Sequence, residues 1–273
     1  MTNMKFKIGF TAEQTNNNTM TANCERKTQT GICRSVVQVY FPQRHMELAY
    51  YNDMFDLKNG DLVYVDGKLA GMLGRVTDVN YTFKIKVSDY KRVISVVDTN
   101  INGTLYFAGS NFVAFDRDVL PKNRVLSWFK APEEDNEEYA EGSDDQWFPL
   151  ENLKALNLRP GIAERGYEYY NNGCVKYLCL DKTKGYAIVE GRELYEVEFD
   201  YNNGDVGNIV CSCYCSYNCK HEFAVLLQLR NVLNLVEKNY GDDFRRSEYF
   251  MAINKKTLLN FAVDCKEVGV LSL

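Results

Sequence analysis

Cys211, Cys213, Cys215 and Cys219 crowd into one short stretch of the chain, and His221 follows directly. Thiol and imidazole groups spaced this tightly point to metal binding before disulfides, provided the thiols stay reduced. The opening residues MTNMKFKIGF carry no apolar run of signal-peptide length, so the expected compartment is the cytoplasm. Three thiolates and one imidazole complete the tetrahedral shell that zinc prefers, with sulfur at about 2.3 Å and nitrogen at about 2.0–2.1 Å. Two Cys-x-Cys pairs are available, Cys211 with Cys213 or Cys213 with Cys215, and each leads to Cys219-x-His221. The second choice leaves only Ser216, Tyr217 and Asn218 between the pairs, a strained loop around a metal. The polar and aromatic residues between the cysteines are unlike a core, which argues against a set of buried free thiols. Four protein ligands leave no position for a catalytic water, so the expected site is structural.

The elements needed to hold such a site are legible around it. From Lys220 the segment KHEFAVLLQLRNVLNLV repeats apolar residues at helical spacing, with Phe223, Leu226, Leu227 and Leu233 on the face that packs. Cys211-x-Cys213, five residues, then Cys219-x-His221 at the start of a helix resembles the pattern of the SWIM zinc-finger family. The resemblance extends back through IAERGYEYYNNGCVKYL, similar to a helix and strand, and GYAIVEGRELYEVEFDYNNGDVGNIVCSC, similar to a sheet that delivers the first ligand pair. It extends forward to YFMAINKKTLLNF. The likeness implies one structural zinc ion held by Cys211, Cys213, Cys219 and His221, with Cys215 outside the shell. It also implies a binding module, since SWIM modules are thought to contact DNA or protein.

Upstream, SVVQVYF, MELAYYN, DLVYV, LAGMLGRVTDV, YTFKIKV and KRVISVVD read as short alternating strands separated by Gly, Asn and Asp. Asp66-Gly67 predicts a tight hairpin, because it supplies the positive φ angles of a type I′ turn. The stretch from Gly60 to Val79 is similar to the opening hairpin of small SH3-like barrels, which present loops to nucleic acid or to protein tails. Alternation in Tyr81–Val87 predicts a strand with Lys84 and Lys86 on one face, close to Lys91 and Arg92; these four residues are candidate phosphate contacts. Thr11–Thr30 shows no periodicity, and a second site from Cys24, Cys33 and His45 has no ligand-like spacing to support it. Cys174 and Cys179 are expected on one strand, buried and inert.

The chain has 273 residues and a net charge of −5. That length predicts two domains. Residues 1–130 carry a basic excess, whereas 131–145, APEEDNEEYAEGSDD, contains no basic residue at all. That segment reads as a solvated linker. The expected organisation is therefore α+β: a mainly β, barrel-like domain over 1–130, an acidic linker over 131–145, and a sheet-and-helix zinc-binding domain over 146–273. No dinucleotide, Walker A or serine-hydrolase motif occurs, and His221-Glu222 lacks the second histidine of a zincin because Val225 stands there. The expected protein is thus no enzyme and takes no small-molecule substrate or membrane as partner. It is an accessory factor that binds DNA, RNA or a nucleoprotein complex. The other expectation is an adaptor or inhibitor of a host or defence complex, of phage or mobile-element origin, using its acidic linker to meet a protein partner.

Overall fold

In the computed structural model, residues 7–10, 34–132, 142, 146–215, 217–264 and 271–272 are described. Strand β1 (Lys7–Phe10) is followed by β2 (Ser35–Phe41), β3 (Met46–Asn52), β4 (Leu62–Val65), β5 (Gly74–Asn80) and β6 (Val93–Val97). Next come β7 (Gly103–Ala108), β8 (Asn111–Ala114), helix α1 (Lys122–Ser127), β9 (Trp147–Pro149) and helix α2 (Ile162–Asn171). The remainder is β10 (Val175–Asp181), β11 (Lys184–Glu190), β12 (Leu194–Asn202), β13 (Asp205–Cys211), α3 (Lys220–Ser247), β14 (Tyr249–Asn254), α4 (Lys255–Leu259) and β15 (Leu271–Ser272). The class is α+β, as expected. Among the described residues no helix is long and apolar enough to cross a membrane.

Five strands form a small sheet in the order β3-β2-β5-β4-β6. A bridge between Tyr51 and Arg92, with the Tyr51 amide donating to the Lys91 carbonyl at 2.9 Å, draws its two edges together into the expected barrel-like form. Alternation explains the interior: Val37, Val39 and Phe41 of β2 are fully buried, and the residues between them are half-buried. β4 is buried on both faces. Its Val63 and Val65 join the barrel core, while Leu62 and Tyr64 pack with Leu105, Trp128 and Met251 beyond the barrel.

Ten strands form the second sheet, in the order β15-β1-β7-β8-β14-β10-β11-β12-β13-β9. Its central strands are apolar on both faces because both are covered. Leu178, Leu180, Ala187 and Val189 pack on α3, and Tyr177, Cys179, Tyr186 and Ile188 pack on the opposite side, where Leu120 and Trp128 lie. The first turns of α3, from His221 to Leu229, are buried all round. α2 covers the side that the sheet does not: Gly166 on α2 lets the Phe223 ring approach so closely that a methyl group there would lie 2.6 Å from it.

Three expectations are corrected. The sheet boundary does not coincide with 131–145, since β7 and β8 belong to the large sheet and β8 pairs antiparallel with β14. Tyr81–Val87 forms no strand; only a 3-10 turn follows, at Val87–Asp89, because no neighbouring strand among the described residues takes up its amides and carbonyls. Asp66-Gly67 does not make a two-residue hairpin. Gly67 does adopt φ +88°, but it opens a 3-10 turn over Gly67–Leu69, and β5 starts only at Gly74. Readings that fell on Thr11–Thr30, on Cys24 and Cys33, and on nearly all of 131–145 lie outside the described residues.

Candidate metal centre

The end of a sheet and the start of a helix meet at the cysteine cluster. β12 and β13 form a hairpin in which Val197 faces Cys211, and the pairing continues one step further: the Ser212 amide donates to the Glu196 carbonyl, and the Glu196 amide to Ser212 Oγ, both at 2.9 Å. These bonds fix the Cys211-x-Cys213 turn. At the far end of the loop, Asn218 Nδ2 donates to the Leu156 carbonyl at 2.8 Å, anchoring the residue before Cys219.

Cys219 is the N-cap of α3. Its Sγ accepts from the Glu222 amide at 3.4 Å, and the Glu222 carboxylate accepts from the Cys219 amide at 2.7 Å, a capping box with sulfur in place of the usual hydroxyl. The dipole at the start of a long helix favours a thiolate at that position, an effect that burial and the neighbouring Cys211 thiol oppose. His221 lies in the first turn and is buried. Its ring stacks on Tyr195 at 3.9 Å between centroids and lies against Tyr169 at 5.3 Å, so two aromatic side chains from β12 and α2 set its orientation.

One ligand atom from each of Cys211, Cys213, Cys219 and His221 lies within 4.8 Å of every other. Nδ1 of His221 is 3.7 Å from both Cys211 Sγ and Cys219 Sγ. A tetrahedral zinc shell with ordinary bond lengths places sulfur and nitrogen about 3.6 Å apart, so the spacing suits a metal at the centre. The electrostatics agree. A hydrogen bond that the Cys219 thiol donates to Cys211, together with burial, pushes Cys219 well above its usual range, and burial pushes Cys213 up to about 12. Burial, with Lys220 beside it, lowers His221 to about 4, which keeps the imidazole neutral and able to ligate. A divalent cation at the centre would displace the protons of the thiols that ligate it. Cys215 is exposed and stands outside the group of four.

The other sequence candidates are scattered. Lys84, Lys86, Lys91 and Arg92 are all exposed, yet they share no strand face. Arg92 is tied to Asp53 at 2.5 Å, and Lys86 pairs with Asp89 at 3.6 Å. His45 is an exposed turn residue near the Tyr40 hydroxyl. Cys179 is buried, which pushes its thiol up to about 11, and Cys174 sits just before β10 with its thiol also raised by burial.

Two features escaped the sequence reading. A cleft of about 730 Å³ on the sheet face opposite α3 is lined by Arg117, Lys122, Lys184, Tyr186 and Tyr249. Its cations are committed to carboxylates: Arg117 to Asp181 at 2.6 Å, Lys122 to Glu198 at 3.7 Å and Lys184 to Asp200 at 2.6 Å. The second is a rim of cations and aromatic rings at the metal loop. Arg159 lies 3.9 Å from the Tyr217 ring centroid, Lys220 lies 4.6 Å from that of Tyr169, and Tyr214 is fully exposed. Tyr214 and Tyr217 between the cysteines, with Lys220 between Cys219 and His221, were the available signal.

No family model matches the chain, and no solved structure matches it. An uncharacterized protein of Methanocaldococcus jannaschii is 38% identical over 101 residues, which is 37% of this chain. The aligned part spans 39% of that relative's length.

Proposed function

We propose that the Cys/His centre is a closed structural zinc site of the SWIM type, and that the protein is a non-enzymatic accessory factor that binds single-stranded nucleic acid. The zinc assignment is supported by the donor set, three sulfurs and one nitrogen at tetrahedral spacing. Bound there, zinc supplies no reaction. It ties the β12–β13 hairpin to the first turn of α3, and its binding energy becomes folding energy.

The binding role rests on one observation: an exposed tyrosine and cation-bearing aromatic rings surround the tied loop. Bases stack on exposed rings regardless of sequence, while cations beside the rings meet phosphates. Lys84 and Lys91 provide further exposed positive charge on the barrel. Arg92 and Lys86 are weaker candidates, since each would have to leave a carboxylate.

The test is binding of the zinc-loaded protein to labelled single-stranded and duplex DNA and RNA at two salt concentrations. Salt-sensitive binding that favours single strands and weakens in Tyr214→Ala and Arg159→Ala is the expected result. Removing one phosphate contact should reduce the salt slope by about 0.7. Absence of binding at low salt would overturn the nucleic-acid role.

A further inference from the structure

We propose that Cys215 is an oxidation site that controls the metal centre: a peroxide converts Cys215 and Cys213 to a disulfide, and the metal loses one of its three sulfur ligands. The inference rests on the zinc reading given above. The cluster holds one more thiol than a four-ligand site needs, and the extra one is placed where an oxidant arrives first. Cys215 is exposed, Cys213 and Cys211 are half-buried, and Cys219 is buried. Cys215 follows Cys213 by two residues, with Tyr214 alone between them, so the chain itself keeps the two sulfurs close. Tyr214 between them is fully exposed, so its side chain contributes no packing that would hold the two cysteines apart.

The chemistry balances with hydrogen peroxide as the oxidant. The Cys215 sulfur attacks one peroxide oxygen, the O–O bond breaks, water leaves, and Cys215 becomes a sulfenic acid. The Cys213 thiolate then attacks that sulfur, an S–S bond forms, and hydroxide departs and takes up a proton as the second water. Two sulfurs are each oxidised by one electron, and one peroxide is reduced to two waters. A disulfide sulfur is no thiolate and holds zinc poorly, so the ion is released from the remaining Cys211, Cys219 and His221. A thiol reductant reverses the exchange and restores the site. Without Cys215, oxidation of a ligand would climb to the sulfinic level, which thiols do not reverse.

The experiment exposes the zinc-loaded full chain and its Cys215→Ser variant to hydrogen peroxide. Zinc release is followed with a chromogenic chelator, disulfides are mapped by mass spectrometry, and rebinding is measured after adding a thiol reductant. The expected result is a Cys213–Cys215 disulfide in the released wild-type protein with recovery of zinc binding on reduction, and loss of that recovery in the variant. Equal release and recovery in Cys215→Ser, or a disulfide that excludes Cys215, would overturn the proposal while leaving the zinc centre intact. A purified chain that takes up no zinc would overturn both. Cys215→Ala repeats the comparison without a hydroxyl.

Discussion

At Cys219 one sulfur atom is both a candidate ligand and the acceptor that caps α3. These roles separate by substitution. Cys219→Ser removes the soft ligand but leaves an oxygen that accepts from the Glu222 amide, whereas Cys219→Ala removes both. Each variant should lose the zinc ion, and the alanine variant should be less stable than the serine variant by about 1 kcal/mol, the ordinary worth of an N-cap. Denaturant unfolding of both metal-free variants checks this, and equal stabilities would show that the cap contributes nothing. Cys219-x-x-Glu222 is a capping box that can be read in the sequence. It was missed because cysteine is not among the usual capping residues. The ligands were legible for the opposite reason, since their density in one short polar stretch has no structural explanation as strong as a metal.

Among the elements, the packing of α2 on α3 decides how firmly the helical ligands are held. An added methyl at Gly166 would press on the Phe223 ring at 2.6 Å and the Lys220 carbonyl at 3.2 Å, both in the turn that carries His221. Gly166→Ala should cost about 1–3 kcal/mol through overpacking, although alanine is the better helix former. It should also weaken zinc affinity without touching a ligand. Thermal unfolding with and without zinc, together with a competition titration, reads both effects; unchanged zinc affinity would mean that the centre is insulated from α2. Strand identity was legible where alternation coincides with pairing, as in β2. It failed at Tyr81–Val87, where Phe83 and Ile85 are half-buried but no strand among the described residues lies alongside. Periodicity reports which face is buried and says nothing of whether a neighbour exists to take the hydrogen bonds.

For the whole molecule, the large sheet is built from both sides of the acidic segment. β8 pairs with β14, the Tyr240 hydroxyl donates to the Phe107 carbonyl at 2.9 Å, and the Tyr177 hydroxyl donates to the Leu120 carbonyl at 2.8 Å. A fragment of residues 146–273 would expose the edge of β14 and uncover the face where Leu120 and Trp128 pack. Such a fragment should aggregate or unfold without a cooperative transition, while a fragment of 98–273, which retains β7, β8 and α1, should unfold cooperatively. Size-exclusion chromatography with thermal melting distinguishes them, and a monomeric, cooperatively melting 146–273 would show that the upstream strands are dispensable. Composition placed a boundary at the charge run because charge marks solvated chain. Pairing between β8 and β14 depends on contacts far apart in sequence, which no local pattern records.

The zinc centre joins these scales, so the most direct measurement is X-ray absorption at the zinc edge on the zinc-loaded chain. The expected shell is three sulfurs at about 2.3 Å and one nitrogen at about 2.0–2.1 Å, with no water. A shell of four sulfurs would put Cys215 in place of His221, and a shell with an oxygen ligand would make the site open; either result would contradict a closed centre of Cys211, Cys213, Cys219 and His221.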